Sequence, residues 1–167
     1  MLFMRFLAII LSLFLLCACG FEPVHGTKVA ESSPLLEMIK VEVPTKGRTA
    51  QLYRIALEDA LHPGNQYPEP RYHLVSQLEE IRQPIIIERD AQITRYNMVL
   101  KSTSELLDIA SGEKIFSKHS QRISSYNVSD SDFATFIAER DARKNGINAL
   151  AQTIAMELVT HLKGRTQ

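Results

Sequence analysis

The sequence has no tryptophan and only two cysteines, Cys17 and Cys19, both near its start. Beyond residue 19 there is no thiol, so the rest of the chain can hold no disulfide, no cysteine metal ligand and no cysteine nucleophile. Neither sign of charge predominates. Nineteen Lys and Arg residues face nineteen Asp and Glu, and the basic excess or stripe of a nucleic-acid-binding protein is missing. The chain also lacks a long hydrophobic run: Phe6 to Leu16, interrupted by Ser12, is its longest apolar stretch, and a bilayer span needs about 20 residues. There is no HExxH pattern, no Gly-x-Ser-x-Gly elbow and no phosphate-binding glycine-rich loop. The histidines His25, His62, His73, His119 and His161 stand at no metal-ligand spacing. These absences predict a protein without catalytic residues, metal or cofactor.

What is present at the start is a leader. Arg5 supplies a positive charge, the apolar run follows, and Ala18 places a small side chain before Cys19. A leader peptidase needs the small residue before its cut, and a lipoprotein needs the thiol after it to accept a diacylglyceryl group through a thioether. Cys19 is therefore the predicted lipidation site. One myristoyl-sized chain binds a membrane only marginally, with K of about 10⁴ M⁻¹, whereas two or more chains hold stably. Gly20 follows, where an Asp would favour inner-membrane retention, so the predicted location is the outer membrane, anchored on its periplasmic side. The expected organisation is residues 1–18 as leader, 19–34 as an extended lipidated tether rich in breakers (Pro23, Gly26, Pro34), and 35–167 as a single domain.

Within that domain, 36–43 alternates β-branched and charged residues and predicts a strand closed by Pro44. From Arg48 the period becomes helical, with Leu52, Ile55, Ala56 and Ala60 on one face, and His62-Pro63-Gly64 stops it. Three strands follow, over 71–81 and on through Ile85-Ile86-Ile87, with Pro84 marking a bend or an edge, then 91–107 and 113–125. Tyr96, Met98 and Leu100 alternate with Arg95, Asn97 and Lys101, the clearest period of two in the chain. Asp108 to Glu113 suits a hairpin turn. Ser129-Asp130-Ser131-Asp132 can cap a last helix, whose stripe is Phe133, Phe136, Ile137, Ile147, Leu150, Ala151, Ile154, Leu158 and Leu162. Gly146 inside it costs about 1 kcal/mol relative to Ala and marks a place to kink. The order β-α-β-β-β-α predicts an α+β fold: a two-layer sandwich of a mostly antiparallel four-stranded sheet with two helices on one face, in which the first two strands can pair in parallel through a right-handed crossover.

Two stretches carry a resemblance. Cys19-Gly20-Phe21-Glu22-Pro23-Val24-His25-Gly26 resembles the mature start of the LPS-assembly lipoproteins of alphaproteobacteria (LptE type), which begin Cys-Gly-Phe, one variable position, Pro, an aliphatic, an aromatic and Gly. His25 stands where that family usually has Tyr. Ser125-Tyr126-Asn127-Val128 and Ala138-Glu139-Arg140-Asp141-Ala142-Arg143 resemble a second pattern of the same family. Taken alone, the charged middle of that helix is what a solvated face with i, i+4 pairs such as Glu139 with Arg143 would show.

The resemblance implies a non-catalytic partner of the large outer-membrane β-barrel (LptD type) that delivers lipopolysaccharide to the cell surface. Such a lipoprotein plugs the barrel, assists its assembly and takes part in lipopolysaccharide delivery. The alternatives are a periplasm-facing carrier or scaffold and a small envelope hydrolase. For contact with a barrel wall or lipopolysaccharide phosphates, the candidates are Arg95 and Lys101, on the polar row of their strand with Asn97 and Thr103, and Lys118 and Arg122, which share a row with Phe116. Their cations suit charge-assisted hydrogen bonds.

Overall fold

The computed structural model describes residues 34–62, 68–86 and 93–165. The predicted leader, the lipidation site and nearly all of the predicted tether lie outside the described residues. The elements are α1 (Pro34–Glu37), β1 (Ile39–Glu42), α2 (Arg48–Leu61), β2 (Tyr72–Ile86), β3 (Ile93–Asp108), β4 (Lys114–Asn127) and α3 (Asp132–Arg165). The sheet has the order β1-β2-β3-β4. β1 pairs with β2 in parallel, and the other pairs are antiparallel. This is the α+β sandwich that the element order predicts, with one addition. Leu36 to Met38 is not strand: Leu36 sits in the single helical turn α1 and is fully buried, and β1 is only Ile39–Glu42. An apolar residue at the start of a short strand fits a helical turn equally well, and here the core takes Leu36 from above the sheet.

Even-numbered residues of β2, of β3 and of β4 from Phe116 onward face the helices, while the bulge opposite Leu106 and Leu107 puts Lys114 on the other side. Leu74, Met98, Leu100 and Leu106 are fully buried on the helix side, as the alternation on β3 predicts. Strands of this length span about 50 Å, and the 34 residues of α3 span about 51 Å at 1.5 Å each, so one helix can run the whole length of the sheet. α2 packs against α3, and Tyr53, Leu57 and Leu61 belong to the same buried cluster as Leu158 and Leu162.

The apolar face of α2 differs from expectation. Ala50, Tyr53, Ala56, Leu57 and Leu61 are buried, while Leu52 and Ile55 are 37% and 41% exposed. The helix carries two overlapping apolar stripes, and the one bearing Tyr53 wins because its hydroxyl reaches into the sheet: Tyr53 Oη lies 2.8 Å from both Ser76 Oγ and Ser102 Oγ. Burial pushes the Tyr53 phenol up, against the pull of these serines.

In α3 the predicted stripe holds from Ile147 to Leu162, but Phe133 and Phe136 are exposed, because the first turns of the helix lie at the end of the sheet. Ser131 Oγ accepts from the amide of Ala134 and caps the helix. The helix does not break at Gly146. A Cβ there would stand 2.8 Å from both Leu100 Cδ1 and Ser124 Oγ, so this glycine lets helix and sheet approach closely. The β3–β4 turn is the predicted one. Asp108 Oδ1 accepts from the amides of Ala110 and Ser111, the Gly112 amide donates to the Asp108 carbonyl, and Gly112 holds φ +69°, where a side chain is strained. β2 continues through Pro84. β1 pairs with β2 only as far as Val75, so the proline lies where β2 has no outer strand among the described residues, a position that tolerates it.

Candidate functional site

Three surfaces carry polar chemistry, and the antiparallel register decides which residue lies on which. The first is the open face of the sheet, formed by odd-numbered residues of β2, β3 and β4. Cross-strand rows there read Glu79-Lys101-Gln121, Gln77-Thr103-His119 and Gln83-Asn97-Ser125. Thr103 Oγ1 and His119 Nδ1 are 2.9 Å apart, Ser125 Oγ donates to Asn97 Oδ1 at 2.6 Å, and Lys114 Nζ meets Glu105 Oε1 at 2.7 Å. One apolar row, Ile81-Val99-Ile123, crosses this face; Val99 is 3% exposed and Ile123 50%. Arg95 and Lys101 lie on this face and make no ion pair among the described residues, although Lys101 stands across from Glu79.

The second surface is a groove of about 710 Å³ between β4 and α3. Here lie Lys118 and Arg122, on the helix-facing row with Phe116. The structure therefore does not bring the four candidate cations together: Arg95 and Lys101 are on one side of the sheet, Lys118 and Arg122 on the other. Lys118 Nζ is paired with Glu157 Oε1 at 2.9 Å, and Ser120 Oγ donates to the other oxygen of the same carboxylate. Arg122 has no ion pair among the described residues. His161 packs edge-on against Phe116, and its Nε2 is shielded from solvent without a hydrogen-bond partner among the described residues.

The third is a network at the far half of the sheet, beneath the N-terminal half of α3. Arg143 grips the Glu80 carboxylate with Nε and Nη2 at 2.9 to 3.0 Å, and Nη2 also donates to Glu139 Oε1 at 2.6 Å. Tyr126 Oη donates to Glu139 Oε2 at 3.2 Å, and Arg82 Nη1 reaches the same oxygen at 3.4 Å. The Arg82 guanidinium also lies 4.6 Å from the centroid of Tyr96, which stacks on Tyr126. Burial pushes the Glu139 carboxyl up, but the hydrogen bond and charge of Arg143, with Tyr126 and Arg82, pull it below the usual carboxylate range. The Arg143 pKa is raised, chiefly by Glu80. The predicted i, i+4 pair of Glu139 with Arg143 exists, but it is half-buried and bolted to the sheet. Glu80 and Arg82 cannot be read from the sequence as partners, because nothing local links them to residues about 60 positions away.

These arrangements can bind and brace. Among the described residues no group of His, Cys, Asp and Glu could hold a metal ion, and no helix is long and apolar enough to cross a membrane. His73 Nε2 lies 2.9 Å from Glu42 Oε2 without hydrogen-bond alignment, and His62 closes α2 with its amide on the Glu58 carbonyl.

No protein-family model matches the sequence, and no curated protein matches it. Solved structures do. A protein assigned as a lipoprotein from Caulobacter crescentus CB15 superposes with TM-score 0.67 at 23% identity, over 79% of this chain and 95% of that one. Rare lipoprotein B from Shewanella oneidensis gives TM-score 0.59 at 10% identity, over 77% and 98%. A minor lipoprotein from Acinetobacter baumannii gives 0.55 at 19%, over 73% and 91%. The chain thus has the fold seen in these lipoproteins of Gram-negative bacteria.

Proposed function

We propose that this chain is a lipoprotein of the Gram-negative outer membrane, anchored through Cys19 on the periplasmic side. In this reading it acts without catalysis as partner and plug of the β-barrel that delivers lipopolysaccharide. The observation that carries it is the contact of Tyr126 with Glu139 and of Glu139 with Arg143. The Ser125–Val128 and Ala138–Arg143 stretches resemble one family's pattern, and they meet in a single network that sets α3 on the sheet. The shared fold of three lipoproteins adds to this. A polar open face, on which Arg95 and Lys101 have no ion pair among the described residues, suits contact with a hydrated barrel lumen or with phosphates.

The test is purification of the full lipidated chain from outer membranes in mild detergent. A barrel should accompany it in fixed ratio, and mass spectrometry should find the mature N-terminus acylated at Cys19. Photo-crosslinkers at positions 95 and 101 should capture the barrel or lipopolysaccharide more than one at Glu58. Recovery of the protein alone would point to a carrier or scaffold, and an unmodified terminus at another residue would overturn the lipoprotein assignment.

A further inference from the structure

β4 is the last strand of the sheet. It pairs only with β3, and among the described residues no strand occupies its outer side. An edge of 14 residues is long for a strand left open, and natural sheets blunt such edges with prolines, bulges, coverage or charged side chains; of these β4 has only the charges, which work against pairing with a like-charged strand and not against an acidic one. β4 contains no proline, and its one register irregularity, opposite Leu106 and Leu107, lies at its beginning. From Phe116 to Asn127 the ladder is regular. The other flank of the sheet differs: β2 beyond Val75 also has no strand on its outer side among the described residues, but it carries Pro84.

Beneath the β4 edge runs the groove against α3. Its apolar surface is Phe116 with Met156, which is 64% exposed. Its polar groups are Lys118 and Glu157, which neutralise each other, and Arg122 and His161 Nε2, which no described residue satisfies. A chain laid along β4 would direct every second side chain into this groove.

Charge selects the occupant. β4 carries Lys114, Lys118, His119 and Arg122 and no acidic residue. A second copy of β4 laid antiparallel on the first would set cation beside cation, which is unfavourable across strands. We propose that β4 accepts, as a fifth strand, one extended segment of a partner protein in which apolar and acidic side chains point into the groove. Main-chain hydrogen bonds along β4 supply the affinity, and the groove supplies the selection. An apolar side chain meets Phe116 and Met156, and a carboxylate meets Arg122 through charge-assisted hydrogen bonds. This inference stands apart from the barrel reading, because it requires only a segment of that chemistry.

The test uses the full lipidated protein in detergent and a synthetic peptide of about eight residues, a common strand length, alternating Ile and Glu. Amide hydrogen exchange should slow along β4 from Phe116 to Tyr126 and not along β2. N-methylation of alternate peptide amides should abolish this protection while leaving the peptide's charge unchanged. Arg122→Glu, an exposed position that folding does not need, should weaken the Glu peptide at least about tenfold and favour a peptide alternating Ile and Lys. Any of three results overturns the proposal: no slowing on β4 at about 1 mM peptide, a concentration that detects weak binding; equal binding of the N-methylated peptide; or protection of the groove by vesicles of anionic phospholipid and not by peptide, which would assign it to lipid.

Discussion

Gly146 lies directly over Leu100: a Cβ on the glycine would come within 2.8 Å of Leu100 Cδ1 and equally close to Ser124 Oγ. The Ser124 hydroxyl can rotate away, but Leu100 is fully buried and has no free direction. In Gly146→Ala, about 1 kcal/mol of helix propensity is gained while overpacking costs about 1 to 3 kcal/mol. The packing cost should win. Thermal unfolding of Gly146→Ala should show a lower Tm, and Gly146→Val a lower one still. A raised Tm for the alanine variant would show that α3 can lift from the sheet without loss.

Arg143 holds two carboxylates, Glu80 and Glu139, from two elements. Removing it in Arg143→Met leaves both half-buried charges without their main partner. A fully buried pair would cost 3 to 5 kcal/mol, and partial exposure reduces this to about 2 kcal/mol. The pH dependence has a defined sign. Because the folded pKa of Glu139 lies below its unfolded value of about 4.3, its contribution is complete above the unfolded pKa and disappears as pH falls through the folded one. Chemical denaturation should find the native protein losing stability below about pH 5, and Arg143→Met losing less over that window.

Tyr53, Ser76, Ser102 and Ser104 form a closed set of buried hydroxyls with five close oxygen pairs. Four hydroxyl protons cannot donate along five pairs at once, so at any instant at least one pair has no proton between its oxygens. Tyr53→Phe removes one hydroxyl and leaves the serines bonded to one another, at a cost of about 1 kcal/mol. The folded pKa of Tyr53 is raised, so its stabilising contribution is present below the unfolded pKa of about 10 and declines as pH rises through the folded value. Alkaline titration of stability should be steeper for the native protein than for Tyr53→Phe.

The two stripes of α2 can be separated directly. Leu57→Asp places a carboxylate in a fully buried position and should cost several kcal/mol, enough to unfold a domain with a total of about 5 to 15. Ile55→Asp, at an exposed position, should change stability by less than about 0.5 kcal/mol. Leu150→Asp in α3 should behave like Leu57→Asp. Circular dichroism melts of the three variants provide the check, and equal destabilisation by Ile55→Asp and Leu57→Asp would mean that α2 is rotated.

The sequence alone determined the features that local periods encode. Alternation of Tyr96, Met98 and Leu100 with Arg95, Asn97 and Lys101 set both the strand and its two faces. Asp108 to Gly112 specified its own turn through the aspartate side chain and a glycine of positive φ, and the stripe from Ile147 to Leu162 located the helix that covers the sheet. Tertiary structure decided what local spacing leaves degenerate. Whether Leu52 or Tyr53 faces inward depends on Ser76 and Ser102, which lie on other strands. Whether Gly146 breaks a helix or seats it depends on Leu100 beneath it. Lys118 and Arg122 share a row in the sequence, but only the packing of α3 beside β4 makes that row the wall of a groove. Glu80 meets Arg143 across 63 positions, and an ion pair closed over that distance leaves no period in the chain.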